Sequence, residues 1–208
     1  MGTLLSIIIY YIKDISEILF FWRKNLKYIG LIILGSIPTA IIGLIVYKLT
    51  DNYTFNLKLI GVLYMINALF LYIVDRFQSK TKNIHLKNSN KISLWDAIIV
   101  GAAQGLAAFP GISRSGATVG TAIFRKISPK DAAKFSFLLS IPAISGAFLL
   151  DFLHTGMKFK TEFFLPIIVS FIVGYTAIHI FIKMITSRKL LYFAIYTLIL
   201  GVLCIFFL

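Results

Sequence analysis

Apolar residues along this chain fall into long runs separated by short polar stretches, and the run lengths define the elements. A helix needs about 20 apolar residues to cross a hydrocarbon core about 30 Å thick. Residues 2–12 form a short apolar run, followed by the amphipathic stretch 13–27. Residues 28–49 form a full span containing Ser36-Ile37-Pro38, and the polar turn 51–56 leads to a second span, 57–74. Residues 75–93, with five basic side chains, read as the longest polar loop. Ser128-Pro129-Lys130-Asp131 has the form of a helix start, with proline at the first helical position. That helix continues through 135–153 and carries Ser140-Ile141-Pro142; the last two spans are 163–185 and 190–208. The pattern predicts an all-α membrane protein, a polytopic helical bundle in one integral membrane domain over residues 1–208.

One stretch departs from this pattern. Residues 96–125 are apolar enough to enter a membrane, but Pro110-Gly111 and an arginine between two serines interrupt them. Residues 97–109 would make a helix about 20 Å long, too short to span, and residues 115–124 are equally short. Two half-length helices joined by a polar turn predict a re-entrant hairpin over 97–124, which persists at membrane depth only where protein or a wet cavity covers it. Its five glycines, at 101, 105, 111, 116 and 120, would let neighbouring helices press close.

Arg114 lies at the turn. An arginine inside a membrane is costly and marks a site with an anionic partner. The hydroxyls of Ser113, Ser115 and Thr118 surround it in sequence, and the second half-helix brings free N–H groups and a positive dipole end to the same place. Guanidinium, hydroxyls and a helix N-terminus together suit a phosphate group. Arg114 and Ser113 are the candidate catalytic residues; Ser115, Gly116, Thr118, Gly111 and Gln104 are candidate substrate contacts. The competing role for Arg114 is a structural staple to a carboxylate or to backbone carbonyls, and for Gln104 a polar helix contact.

Composition sharpens the class. With 59% apolar residues and a mean hydropathy of +0.89, the chain is a membrane protein. Its net charge of +13 would suit nucleic acid if the charge were clustered. It is instead sorted by side: if the hairpin returns to the side it left, 16 of the 21 basic residues fall on one side. Four (Lys48, Lys58, Lys158 and Lys160) fall on the other, and Arg114 lies within the hairpin. The positive-inside rule then makes loop 75–93 cytoplasmic and places Leu208 outside. The expected partner of these charges is the anionic lipid bilayer surface, with no nucleic acid. Arg125 counts here only as one more topological charge. The single cysteine, Cys204, excludes an internal disulfide and reads as lipid-facing.

From the hairpin onward the order is hairpin and three spans; before it come three apolar segments without a hairpin. Three spans per unit is odd, so a duplicated unit would be inverted, with binding sites at the repeat interface. Residues 1–74 are then the remnant of a first repeat, 75–93 the cytoplasmic loop and 94–208 the second repeat. The expectation is that a first hairpin is missing before Met1.

The eight acidic residues fall at loops or helix ends, none at the depth of Arg114. Asp14 and Glu17 share a helix face that reads as solvated, Asp96 as a helix N-terminal anion, and Asp151 with His154 as a structural pair. His179 lies mid-span and reads as a hydrogen-bonded core histidine. No metal ligands are identifiable.

Residues 103–151, which include PGISRSGAT and FSFLLSIPA, resemble the second signature region of the undecaprenyl-diphosphate phosphatases, the bacitracin-resistance family of bacterial membranes. The likeness extends more weakly to FWRKNLKY and SIPTAIIG. It implies an enzyme of the bacterial plasma (inner) membrane that removes one phosphate from undecaprenyl diphosphate, recycling the lipid carrier of cell-wall synthesis. It further implies that Arg114, Ser113 and Ser115 help hold the diphosphate, that a divalent metal such as Mg2+ or Ca2+ assists, and that the partner is a polyprenyl diphosphate lipid. A homodimer is left open. The family also carries an N-terminal hairpin with paired glutamates and a serine-rich, histidine-containing turn, which this sequence does not display. The other class open to these residues is a transporter or carrier for a phosphorylated lipid or anion, since a midplane anion site at a broken helix also suits transport.

Overall fold

The computed structural model describes residues 1–51, 56–80, 86–155 and 163–206. Among these there are nine α-helices and no β-strand beyond one isolated bridge, between Lys87 and Ile127. They are α1 (Gly2–Tyr10), α2 (Ile12–Phe20), α3 (Trp22–Asp51), α4 (Leu57–Lys80), α5 (Leu94–Leu106), α6 (Arg114–Phe124), α7 (Pro129–Thr155), α8 (Phe164–Thr186) and α9 (Leu191–Phe206). Helices α3, α4, α7 and α8 are each long and apolar enough to cross a membrane. The predicted last span, 190–208, is shorter than expected: α9 has 16 residues, and 207 and 208 lie outside the described residues. The predicted polar turn 51–56, loop residues 81–85, Lys158, Lys160 and Glu162 also lie wholly or largely outside them.

The boundaries differ from the sequence pattern where charged residues join helices. Helix α3 begins at Trp22, not at residue 28, and α4 runs on to Lys80, six residues past the expected end of the span at 74. The reason is visible at Asp75. Its side chain is buried, and Oδ1 accepts the Leu191 N–H at 3.1 Å, so it caps α9 from within a helix. Gln78, one turn on, donates Nε2 to the Ile185 carbonyl at 2.9 Å.

Helix α7 is the core element. Ser128 caps it, accepting the Asp131 N–H at 3.2 Å, and Phe135 and Leu139 are fully buried against neighbouring helices. Tyr28 meets Phe135 edge-on at 5.9 Å, and Phe137 bridges Tyr11 and Phe181. By contrast α8 leaves Phe164, Leu165, Ile172 and Val173 more than half exposed, an apolar exterior suited to acyl chains. His179 is exposed on that helix, 6.4 Å from the ring of Tyr10, so it is not the buried core histidine expected.

Two helix pairs meet backbone to backbone. A Cβ on Gly101 of α5 would lie 2.0 Å from the Gly35 carbonyl oxygen of α3, so α5 lies against α3 at a distance only glycine permits. A Cβ on Gly61 of α4 would lie 2.8 Å from the Gly201 oxygen of α9, and one on Gly201 would lie 2.8 Å from the Gly61 oxygen. That contact is reciprocal. Cys204 packs here, 3.1 Å from where a Gly61 Cβ would sit, and is partly buried rather than wholly lipid-facing.

Candidate active site

The re-entrant hairpin is present as α5, a connection over 107–113, and α6. It has a base and a tip. At the base, Ser93 and Asp96 form a capping box: Ser93 Oγ accepts the Asp96 N–H at 3.2 Å, and Asp96 Oδ2 accepts the Ser93 N–H at 2.9 Å. The fully buried Asp96 carboxylate also accepts Lys87 Nζ at 2.8 Å and Arg125 Nε at 2.7 Å. Burial pushes its pKa up, but Lys87, the Ser93 N–H, Arg125 and the Ser93 hydroxyl together outweigh burial and hold it at about 2. Lys87 is fixed through its backbone as well: its N–H donates to the Lys126 carbonyl at 2.8 Å and its carbonyl accepts the Ser128 N–H at 2.9 Å. Arg125, read from sequence as a topological charge, is therefore the clamp that ties the end of α6 to the start of α5.

At the tip, Gly111 has φ +95°, a left-handed conformation that glycine adopts without strain. A side chain there would also strike the Ile60 carbonyl of α4 at 2.9 Å. The chain then turns into α6. Ser113 is the N-cap, with Oγ accepting the Gly116 N–H at 3.1 Å, and Ser113's own N–H donates to Asn67 Oδ1 at 3.2 Å. Asn67 is the eleventh of the 24 residues of α4, so Ser113 and Arg114 lie level with the middle of a spanning helix. That is the depth expected of a midplane site.

Arg114 is the first residue of α6 and is exposed at the surface of the protein. Among the described residues its guanidinium has no carboxylate or carbonyl partner, so the staple role is not realised there. The N–H groups of Arg114 and Ser115 open the helix and have no acceptor among the described residues; nor does the Ser115 hydroxyl have a partner there. One cation, two backbone donors and two serine hydroxyls lie within three consecutive residues at the start of α6, with no protein anion paired to them among the described residues. That set of groups can bind an oxyanion.

The other candidates sit elsewhere. Thr118 is buried, and its hydroxyl donates back to the Arg114 carbonyl at 2.9 Å, with the Ser115 carbonyl at 3.3 Å, so it shapes α6 rather than facing the tip. Gly116 leaves room for the cap, since a Cβ there would lie 3.1 Å from Ser113 Oγ. Gln104 is buried between helices, donating Nε2 to the Leu139 carbonyl of α7 at 3.2 Å and to Thr39 Oγ1 at 3.4 Å. It is the polar helix contact of the two roles open to it. Thr39 lies 2.8 Å from the Gly101 carbonyl and joins the same junction.

Four of the acidic residues are engaged in structure. Asp14, one-third exposed, also pairs with Lys134 of α7. Asp75 caps α9, Asp96 holds the hairpin base, and Asp131 belongs to the α7 cap. Among the described residues no group of three or more His, Cys, Asp or Glu could hold a metal ion. The residues that sequence reasoning passed over are Asn67, Asp75 and Thr39. The first is a lone amide inside an apolar run, and that was the available signal.

A fold of this kind, with four long apolar helices around a helical hairpin that does not cross, defines a multi-pass integral membrane protein. The family model described as "Bacitracin resistance protein BacA" matches residues 1–203, and the chain belongs to that family. An undecaprenyl-diphosphatase of Carboxydothermus hydrogenoformans is 37% identical over 210 residues, 97% of this chain and 77% of that protein. Those of Halothermothrix orenii and Pseudoalteromonas translucida are 34% and 36% identical. They cover 98% and 100% of this chain, which in turn spans 79% and 81% of theirs.

Proposed function

We propose that this protein hydrolyses undecaprenyl diphosphate to undecaprenyl phosphate and phosphate, and that the diphosphate is held at the hairpin tip. The observation that carries the site is Arg114: it follows Ser113, whose backbone meets the middle of α4, and it has no anionic partner among the described residues. The relatives' printed names supply the reaction. In phosphoryl transfer most catalysis is positioning and neutralisation of charge on the phosphate oxygens. Arg114, the N–H groups of Arg114 and Ser115, and the hydroxyls of Ser113 and Ser115 supply both. The product returns to lipid-carrier use in cell-wall synthesis, and bacitracin resistance follows from that supply. A divalent cation such as Mg2+ or Ca2+ finds no carboxylate paired with Arg114 among the described residues, and such ions favour carboxylate oxygens. The residues at the tip do not fit it, and no step is assigned to it.

The test is release of phosphate from undecaprenyl diphosphate by the purified protein and by Arg114→Ala. Release by the wild type, falling at least roughly 30-fold in the folded variant, is expected. A silent wild type, or equal rates, overturns the reading.

The orientation belongs to the same proposal: residues 75–93 face the cytoplasm and the C-terminus faces outside, on the basic asymmetry. A cysteine at the exposed Asn88, with Cys204 replaced by serine, should react with an impermeant thiol reagent only after cells are opened. Labelling in intact cells reverses the topology. The reciprocal Gly61–Gly201 contact supports an inverted repeat, since a two-fold relation between α4 and α9 requires each glycine to meet the other's carbonyl.

A further inference from the structure

Helix α4 brings to the hairpin tip a side chain that the site as described does not use. Asn67 is 3% exposed, in the middle of an otherwise apolar span. Its orientation is fixed chemically. The Ser113 N–H can only donate, so the amide atom 3.2 Å from it must be the oxygen, Oδ1. The Nδ2 group, with two protons to donate, is left buried with no acceptor among the described residues. Leaving such a donor unsatisfied in a protein interior is costly, so it calls for an explanation. A hydrophobic residue of similar size would avoid that cost, and a pure N-cap support needs only the oxygen.

We propose that Asn67 is a bifunctional residue of the diphosphate site: Oδ1 positions the Ser113 backbone, and Nδ2 donates to a phosphate oxygen of the bound diphosphate. This rests on reading the hairpin tip as the diphosphate site. The Arg114 guanidinium and the N–H groups of Arg114 and Ser115 are likewise donors without an acceptor among the described residues, which favours a ligand oxyanion as the acceptor for Nδ2. An oxyanion satisfies all of them together. Asn67 thus makes α4, in the first half of the chain, a wall of a site otherwise built from α6.

Asn67→Asp separates the two functions. The carboxylate keeps an acceptor for the Ser113 N–H at the same size, but removes the donor and sets a negative charge against the phosphate. The readout is binding of inorganic diphosphate to the full-length purified protein, measured as the rise in Tm across a concentration series. It does not depend on turnover. In the wild type diphosphate should raise Tm. In Asn67→Asp that still purifies folded, the apparent affinity should fall at least tenfold, judged by the ligand-induced rise and not by the ligand-free Tm, which the buried carboxylate lowers. Arg114→Ala should weaken binding in the same assay. With undecaprenyl diphosphate as substrate, Asn67→Asp should raise KM more than it lowers kcat. If Asn67→Asp does not purify folded, Asn67→Ser, smaller and neutral, takes its place with the same direction and at least a threefold loss. Diphosphate affinity unchanged in the folded variant, or a wild type that diphosphate does not stabilise, overturns the proposal. A wild type that binds diphosphate but hydrolyses no lipid diphosphate would overturn the proposed reaction and leave the Asn67 contact standing.

Discussion

The two ends of helix α6 carry one arginine each, and they could hardly be held more differently. Arg125, at the base, donates Nε to a fully buried carboxylate that also holds Lys87 and caps the start of α5. Arg114, eleven residues earlier at the tip, has no anion among the described residues and stands beside unsatisfied N–H groups. The base is electrostatically closed and the tip electrostatically open. The contrast separates an end anchored within the protein from one left without a counter-charge among the described residues. Charge alone does not tell the two arginines apart, since both sit in short polar interruptions of the same apolar stretch.

The comparison can be broken most strongly at the tip. Arg114→Lys keeps the charge but loses the planar fork that grips two oxygens at once. A loss of about 2–4 kcal/mol of transition-state stabilisation is expected, a drop in kcat/KM of roughly 30- to 1000-fold, with Tm nearly unchanged. Near-normal kinetics would place the diphosphate elsewhere.

Next in size is the contact that carries both ends. Gly101→Ala puts a methyl 2.0 Å from the Gly35 oxygen and should force α3 and α5 apart, costing about 1–3 kcal/mol. Thermal unfolding in detergent should show it, with activity lost alongside because the hairpin moves. An alanine variant as stable as the wild type would mean that the helices separate freely.

At the base the effect is on stability and depends on pH. Lowering the Asp96 pKa from 3.8 to about 2 is worth about 2 kcal/mol. Because the folded-state pKa is the depressed one, this contribution is complete above about pH 4 and disappears as pH falls toward about 2. Asp96→Asn should therefore unfold at a Tm lower by several degrees at neutral pH, and the gap to the wild type should close across that acid range. A gap that stays constant with pH would mean that Asp96 stabilises by packing, not as an anion.

The smallest expected change is Arg125→Lys. Both base cations are about one-third exposed, so exchanging one for a simpler cation should cost less than about 1 kcal/mol, with kcat/KM within about twofold of the wild type. Set beside Arg114→Lys, the same substitution at the other end of the same helix, it is the sharpest form of the comparison.

Much of this architecture is legible in residue order, for a physical reason. A bilayer demands long apolar runs and internal satisfaction of backbone groups, so span lengths, the half-length arms around Pro110-Gly111 and the anomalous Arg114 are all visible without coordinates. The α7 start at Ser128-Pro129 is equally local, because a cap reads only the next three residues. Where reading the residues in order failed, a distant partner decides. Asp75 looks like the first residue of a loop until α9 brings Leu191 to it, and Arg125 looks like a topological charge until Asp96 is found 2.7 Å away.

The sequence by itself therefore determined the class, the elements and the arginine that interrupts the hairpin, since membrane insertion depends on composition and run length. Only the tertiary structure decided which polar groups are already satisfied. Gln104 and Thr118 are candidate contacts in the one-dimensional pattern, yet the fold spends their donors on Leu139 and Thr39, and on the α6 backbone. Asn67 is an unremarked amide in an apolar run, yet the fold seats it against Ser113 and leaves its donor open. Hydrogen bonds are short and directional, so whether a group is spent or free depends on what lies within about 3 Å of it, and for these residues that neighbour comes from another helix.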